Sequence, residues 1–208
     1  MVVMMPRSAE QTRKRILDGA YRLFRRHGYS RVRMDDIAAE ASFTKRTLYH
    51  HFKSKDQLLA DVLAAQHELA IQAFNTFGDR LSGSPEAIVE GMFWELAVWA
   101  DRPRFAGSGF TRLVIELADL PGHPARLMAR RHKARLERYL GELLERSGVR
   151  RAAELARSIW LLSEGAVSLI LIHGDQGYSA AASNAAITLV RSHLNRQQRV
   201  SRQSGNVR

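Results

Sequence analysis

The sequence contains no cysteine among its 208 residues. This absence excludes disulfide bonds, thiolate zinc sites and cysteine nucleophiles. The eight histidines are scattered, and His123 and His132 do not share a helix face, so no metal site is predicted. A nucleophile elbow, a phosphate-cradling glycine loop and a His-Glu-x-x-His motif are also missing. The sequence therefore predicts neither an enzyme nor a bound cofactor.

Long apolar runs are equally scarce. The longest, such as residues 166–172, are far shorter than the ~20 residues of a membrane helix. The methionine-rich residues 1–5 are too short for the apolar core of a signal peptide, and Pro6 follows at once. We therefore expect a cytoplasmic protein without membrane contact, whose natural start can be Met4 or Met5.

Acidic residues are few in the first quarter of the chain. The formal net charge is +11 overall, residues 1–55 carry a net +8, residues 56–190 a net −2, and residues 191–208 add five arginines. A basic head on a nearly neutral body indicates that a polyanion binds at one end. The alternative is a generally basic soluble protein, which this uneven distribution disfavours.

Residues 33–52 have the pattern of two short helices separated by three or four residues, the second one basic and polar along one side. This pattern is typical of a helix-turn-helix, whose second helix enters the DNA major groove. A preceding helix is predicted over residues 10–27, with Ile16, Ala20 and Phe24 on one face and Gly28 as its stop.

After Ser54, which with Gln57 forms a capping box, the pattern predicts only helices. They are expected over residues 54–77, 85–100, 110–120, 125–147, 151–173 and 179–194. The predicted fold is all-α with about nine helices. It divides into a disordered arm (1–8), a three-helix DNA-binding domain (9–55), a helical regulatory and dimerisation domain (56–196) and a basic disordered tail (197–208).

The last two helices carry more apolar surface than one core requires, which indicates a homodimer formed by a four-helix arrangement. The alternative is a fully internal helix in a monomer. The predicted dimer interface comprises Leu155, Ile159, Leu162, Ala166, Ile187, Val190 and Leu194.

The N-terminal quarter resembles the TetR family of transcriptional regulators. The resemblance includes Leu23-Phe24, Gly28-Tyr29, Asp36-Ile37-Ala38 and the stretch from Thr47-Leu48-Tyr49 to Leu58. It implies a homodimeric DNA-binding protein, usually a repressor, whose C-terminal domain binds a small molecule that releases double-stranded DNA. Two departures are Arg33, where the family commonly has a hydroxyl residue, and Ser42-Phe43, where it often has Gly-Val.

DNA contacts are predicted on and around the third helix. Lys45 and Arg46 can reach guanine acceptors, and the resemblance gives Tyr49 a phosphate or a thymine methyl group. Each of His50 and His51 can instead be a core or solvent-facing residue. The full predicted set is Arg33, Thr44, Lys45, Arg46, Thr47, Tyr49, His50, His51, Lys53 and Lys55.

A ligand pocket between the later helices is predicted to be mostly apolar with a few polar groups. Its candidate residues are Phe93, Trp94, Phe110, Trp160, Glu164 and His173, which can equally be ordinary core residues. The sequence thus favours a ligand-responsive regulator on a palindromic operator. The alternatives are a non-specific architectural DNA-binding protein and, less favoured, an enzyme.

Overall fold

The computed structural model describes residues 8–78, 80, 83–103 and 105–205, with the side chains of 200–205 left aside. The described residues form nine α-helices and no strand, which confirms the predicted all-α fold. The helices are α1 Ala9–His27, α2 Met34–Ala41, α3 Lys45–His51, α4 Lys55–Gly78, α5 Pro85–Ala100, α6 Gly109–Glu116, α7 Pro124–Arg146, α8 Ala152–His173 and α9 Gly177–Gly205.

Helix ends follow the local chemistry that the sequence indicated. Ser8 caps α1 by accepting from Gln11 N at 3.2 Å, and the Ser54 hydroxyl accepts from Gln57 N at 3.1 Å at the start of α4. Gly28 ends α1 with φ 81°, a conformation that side-chain-bearing residues rarely adopt. The N-terminal arm predicted over residues 1–8 lies outside the described residues apart from Ser8.

Two boundaries differ from the prediction by more than two residues. Helix α6 ends at Glu116, four residues early, because Leu117–Leu120 form tight turns such as the one from Leu120 N to Leu117 O. Helix α9 continues to Gly205, through most of the segment predicted to be a disordered tail, because that segment contains no helix-breaking residue before Gly205.

The chain divides into two compact units. Among the described residues, the first unit contains those up to Ala70 and Gly109–His132, and the second contains those from 71 to 108 and from Lys133 onward. The unit with the first three helices is thus larger than the predicted domain of residues 9–55. The reason is tertiary packing that the local pattern does not reveal, since Leu59, Phe110 and Leu117 share its core.

Each unit has its own hydrophobic core. In the first, Ile16, Ile37 and Leu48 are fully buried, so that α1, α2 and α3 pack together at the spacing predicted for them. In the second, α5, α8 and α9 pack on one another around Val89 and Ile159.

Candidate nucleic-acid interface

Helix α3 is short, and its start is held by a threonine pair. The Thr44 hydroxyl accepts from Thr47 N at 3.1 Å, and the two threonine hydroxyls lie 2.9 Å apart. This N-cap fixes the first turn, from which the side chains of a reading helix reach DNA. Thr44 and Thr47 were predicted as DNA contacts, and in the structure they also shape the helix.

The outer face of α3 is polar, basic and exposed, whereas its inner face is anchored by Leu48, which is fully buried. Arg46, Thr47 and His50 line an open concavity of about 440 Å³ on the outer face. Tyr49 is 47% exposed, although its ring is large and apolar. Long donors and an amphipathic ring on one exposed face are suited to base edges and phosphates.

Lys45, the first residue of α3, forms an ion pair with Asp35. Its ammonium group lies 3.0 Å from the Asp35 carboxylate of α2, and hydrogen bonding to that carboxylate is the main cause that raises the Lys45 pKa. Both side chains are more than half exposed, so the pair adds little stability. Asp35 was not among the predicted site residues, and the only sequence signal for it is its place in the first turn of α2.

Arg33 occupies the position before α2 where a capping hydroxyl was missing. The Asp36 carboxylate compensates by accepting from Arg33 N at 2.8 Å, which satisfies one donor at the helix start. The Arg33 guanidinium remains 81% exposed beside α2. Lys53 is likewise exposed, just past the end of α3. Both cations are therefore available to phosphates.

The two adjacent histidines differ in environment. His50 is exposed, whereas the His51 ring is half-buried, with its centroid 6.3 Å from that of Phe52. Burial lowers the His51 pKa, and the nearby His50 and Arg13 act in the same direction. The His51 imidazole is therefore mostly neutral near pH 7, and His50 is the more exposed of the two histidines.

Lys55, which was predicted to contact a DNA phosphate, binds backbone carbonyls of its own chain instead. Its ammonium group donates to the carbonyls of Tyr29 and Val32 at 3.1 Å each and lies 4.1 Å from the Tyr29 ring centroid. The backbone turn before α2 provides these acceptors, and sequence spacing cannot show that the turn folds back onto α4. The prediction for Lys55 is therefore corrected to a structural role in the first unit.

The predicted ligand residues lie in different surroundings. Phe93 is buried in the core of the second unit, and Trp94 is 63% exposed because consecutive helical residues point about 100° apart. His173 is exposed and stacks on Tyr178. Phe110 belongs to the first unit, where it stacks on His132. Trp160 and Glu164 lie on the same helix, one turn of α8 apart.

The predicted dimer residues are mostly internal. Helices α5 and α9 pack on the predicted face of α8, and both Ile159 of α8 and Val190 of α9 are fully buried. The other buried members are Leu155 and Ala166, while Leu162, Ile187 and Leu194 are partly buried against the same core. These residues form the core of the second unit, as in the alternative of an internal helix.

A different apolar surface of the last two helices is exposed. Leu161 and Ile172 are each 70% exposed, and Leu169 and Leu189 are each 37% exposed. We call these four residues the outer apolar face. Sequence reasoning missed it, because apolar residues on all sides of α8 do not reveal which side the chain itself covers.

Comparison with known proteins identifies the first unit most clearly. Residues 16–62 match the family described as "Bacterial regulatory proteins, tetR family". The chain is 39% identical over 85 residues to the HTH-type transcriptional regulator SrpR of Pseudomonas putida, which is 40% of this chain and 39% of that one. It is 42% identical over 60 residues to the HTH-type transcriptional repressor SCO4008 of Streptomyces coelicolor, which is 29% of this chain and 31% of that one. These matches span less than two fifths of each relative's length.

The fold as a whole is also shared. The crystal structure of SCO4454, a TetR-family transcriptional regulator from Streptomyces coelicolor, superposes with a TM-score of 0.78 at 27% identity. The superposition covers 88% of this chain and 96% of that one, so the likeness extends well beyond the matched N-terminal residues. These relatives and fold neighbours are regulators, which confirms the prediction of a DNA-binding regulator over an enzyme.

Proposed function

The chain belongs to the TetR family of regulatory proteins, and on this premise we propose that it is a ligand-responsive transcriptional regulator, acting as a repressor. It binds a palindromic DNA operator as a homodimer, and a small-molecule effector releases it. The observation that carries the proposal is the exposed basic face of α3, held on a buried helix-turn-helix core.

Specific recognition is assigned to the outer face of α3. Arg46 is exposed at the second position of the helix, where a guanidinium can donate two bonds to guanine O6 and N7. Lys45 reaches the same groove once a base competes with Asp35 for its ammonium group. Tyr49 and His50 extend the contact by one turn. Arg33 and Lys53 contact phosphates, which hold the helix in register without reading sequence.

Dimerisation is assigned to the outer apolar face in place of the predicted residues. Leu161 and Ile172 cost free energy while exposed to water, since each apolar side chain buried contributes about 1.5–3 kcal/mol. An isologous contact would bury both copies of the face at once. A homodimer of helix-turn-helix proteins binds two half-sites about 34 Å apart, or a multiple of that, on one side of the DNA.

A lipid membrane is the alternative to a second copy of the chain as the partner that buries the outer apolar face. Helix α8 is long and apolar enough to cross one by length and composition, with a window of mean hydropathy 1.6 that is 39% buried. However, α8 also packs against α5 and α9 through a buried stripe that includes Ile159. A helix with one side committed to a protein core and the other exposed fits a second copy better than it fits lipid.

The effector site is proposed around Trp160 and Glu164, with Lys133 added by the structure. The Lys133 ammonium donates to the Glu164 carboxylate at 2.5 Å and lies 5.9 Å from the Trp160 ring centroid. Both charged side chains are about three-quarters buried. A ligand with a charged group and an apolar body could exchange for one partner of this ion pair while stacking on the indole.

Selection of bound fragments from genomic DNA tests the proposal, followed by footprinting and mass measurement in solution. We expect one protected palindrome per bound fragment and a dimeric mass. Uniform coverage of all fragments would support the architectural alternative, and failure to bind any duplex would overturn the DNA-binding assignment. A metabolite panel that never changes operator affinity would overturn the effector part.

A further inference from the structure

The backbone turn between α1 and α2 receives a carboxylate from a distant part of the chain. Glu116, the last residue of α6, accepts from Tyr29 N at 2.8 Å and from Ser30 N at 2.6 Å. Desolvation raises the Glu116 pKa, but the backbone bonds from Ser30 and Tyr29, the Ser30 side chain and the Lys55 charge together outweigh it, so the net pKa is lowered and the carboxylate is charged at neutral pH. Hydrogen bonds to a charged acceptor are about twice as strong as neutral ones.

The backbone carbonyls of the same turn accept hydrogen bonds from α4. Lys55 of α4 donates to the carbonyls of Tyr29 and Val32, and its neighbour Asp56 accepts from the Tyr29 hydroxyl. We call Glu116, Lys55 and Asp56, arranged around residues 28–32, the turn clamp. Two adjacent N–H groups, two carbonyls and one side chain of the turn are thus bound by α6 and α4.

Gly28 provides the room that Glu116 needs. A Cβ atom on Gly28 would lie 3.1 and 3.2 Å from the two Glu116 carboxylate oxygens, which is tighter than nearly all such contacts. The residue also has φ 81°, which disfavours any side chain at this position. The backbone conformation therefore favours glycine, and the absence of a Cβ atom leaves room for the Glu116 carboxylate to lie directly against the turn.

The turn leads directly into the DNA-reading helices. Val32, which is 2% exposed, is the last residue of the turn, and α2 starts two residues later at Met34. Helix α2 packs on α1 through Ile37, and α3 packs on α2. The position of the turn consequently sets the positions of α2 and α3 relative to α1.

We propose that Glu116 is a positioning residue for DNA recognition, holding the α1–α2 turn so that α3 presents Arg46 and its neighbours in base-reading geometry. The inference rests on the proposed function, because it assigns a role within sequence-specific binding. Base contacts need hydrogen-bond geometry within a few tenths of an ångström and about 30° of ideal, whereas phosphate attraction tolerates larger shifts. Loss of the carboxylate should therefore reduce specific binding more than general DNA binding.

The test compares Glu116→Gln with the wild-type full chain, using the operator selected by the wild type and a scrambled duplex of equal length. Glutamine keeps the shape but replaces one acceptor oxygen with an NH₂ group, which opposes a backbone donor. We expect operator affinity to fall about tenfold, the worth of one good base contact, with less than about a twofold change on the scrambled duplex. Asp119→Asn, which removes the same charge from an exposed position nearby, serves as the matched control.

Amide hydrogen exchange supplies a readout that does not depend on DNA. In Glu116→Gln the amides of Tyr29 and Ser30 should lose protection, while the amide of Leu48, bonded to Thr44 O at 3.1 Å, keeps it. Unchanged protection at Tyr29 and Ser30 would overturn the clamp. Lost protection with an unchanged ratio of operator to scrambled affinity would overturn the positioning role and leave the proposed function intact. A wild type that selects no operator would overturn the proposed function, and this inference with it.

Discussion

The two compact units differ in what their exposed surfaces carry. In the first, the outer face of α3 presents polar and charged groups, and the helix is anchored by single apolar residues such as Leu48. In the second, α8 is apolar on two sides, and Leu161 and Ile172 remain exposed. The polar face of a short helix can be predicted to be its exposed face. An apolar helix does not show in the same way which of its sides is covered by its own chain and which by a partner.

The largest expected effect tests whether the outer apolar face is a contact between copies. Leu161→Asp combined with Ile172→Asp should abolish the dimer, because four carboxylates would have to be buried in an isologous contact. Operator affinity should then fall at least about 100-fold through loss of bivalent binding. Sedimentation and operator titration measure both effects.

A core variant in the same helix is the control for this prediction. Ile159→Ala should lower the free energy of unfolding by about 2–5 kcal/mol, since the side chain is fully buried, yet retain the dimeric mass. If the double aspartate variant sediments like the wild type, the outer face is not the dimer contact.

The next effect concerns the reading face of the first unit. Arg46→Ala should reduce discrimination between the operator and a mismatched site by about 1–3 kcal/mol, because a bidentate base contact is lost. Lys53→Ala, which removes an exposed cation just beyond α3, should weaken all sequences alike. Fluorescence anisotropy with both duplexes measures the two losses, and equal patterns in the two variants would contradict the division of roles.

A smaller effect is expected at the turn between α2 and α3. Ser42 has φ 59° and ψ 47°, a left-handed conformation that is strained for serine. Ser42→Gly should raise the free energy of unfolding by about 0.5–1 kcal/mol, as relief of strain exceeds the added entropy of the unfolded chain. Ala39→Gly, inside α2, should lower it by about 1 kcal/mol. Urea denaturation distinguishes the two glycines.

The smallest effect is a pH dependence at His51. Burial lowers the pKa of the folded residue below the ordinary value of 6.5, so the unfolded chain takes up the proton more readily. Stability from this residue is thus present above pH 6.5 and declines as the pH falls through the folded pKa. His51→Gln should lose less stability than the wild type between about pH 7.5 and 5.5, measured by urea denaturation. An identical loss in both proteins would show that other groups control this range.

The first unit could be predicted from the sequence in some detail, because its signals are local. The end of α1 at Gly28, the cap at Ser54 and the buried spacing of Ile37 and Leu48 each depend on residues within a few positions. What local patterns could not supply is the distant contact. Lys55 looked like a free cation, and nothing near it in sequence indicates two backbone carbonyls from residues 29 and 32.

The sequence predicts the helices of the second unit, but it does not predict which side of each helix is buried. Ile159 and Leu161 are both apolar residues on the same helix, and one is fully buried while the other is 70% exposed. Which of them is covered depends on where α5 and α9 pack, and this is a long-range outcome that periodicity does not encode. The same limit applied to Phe93 and Trp94, of which only the first is buried.

The inward orientation of the Lys55 ammonium has a consequence for how the protein responds to ionic strength. Each phosphate contact releases condensed counterions from the duplex, and log affinity falls with log salt by about 0.9 per contact. A lysine bonded to two backbone carbonyls releases none, so the formal charge of the first 55 residues overstates the number of contacts. The affinity should consequently depend less steeply on salt concentration than the cation count of that segment suggests.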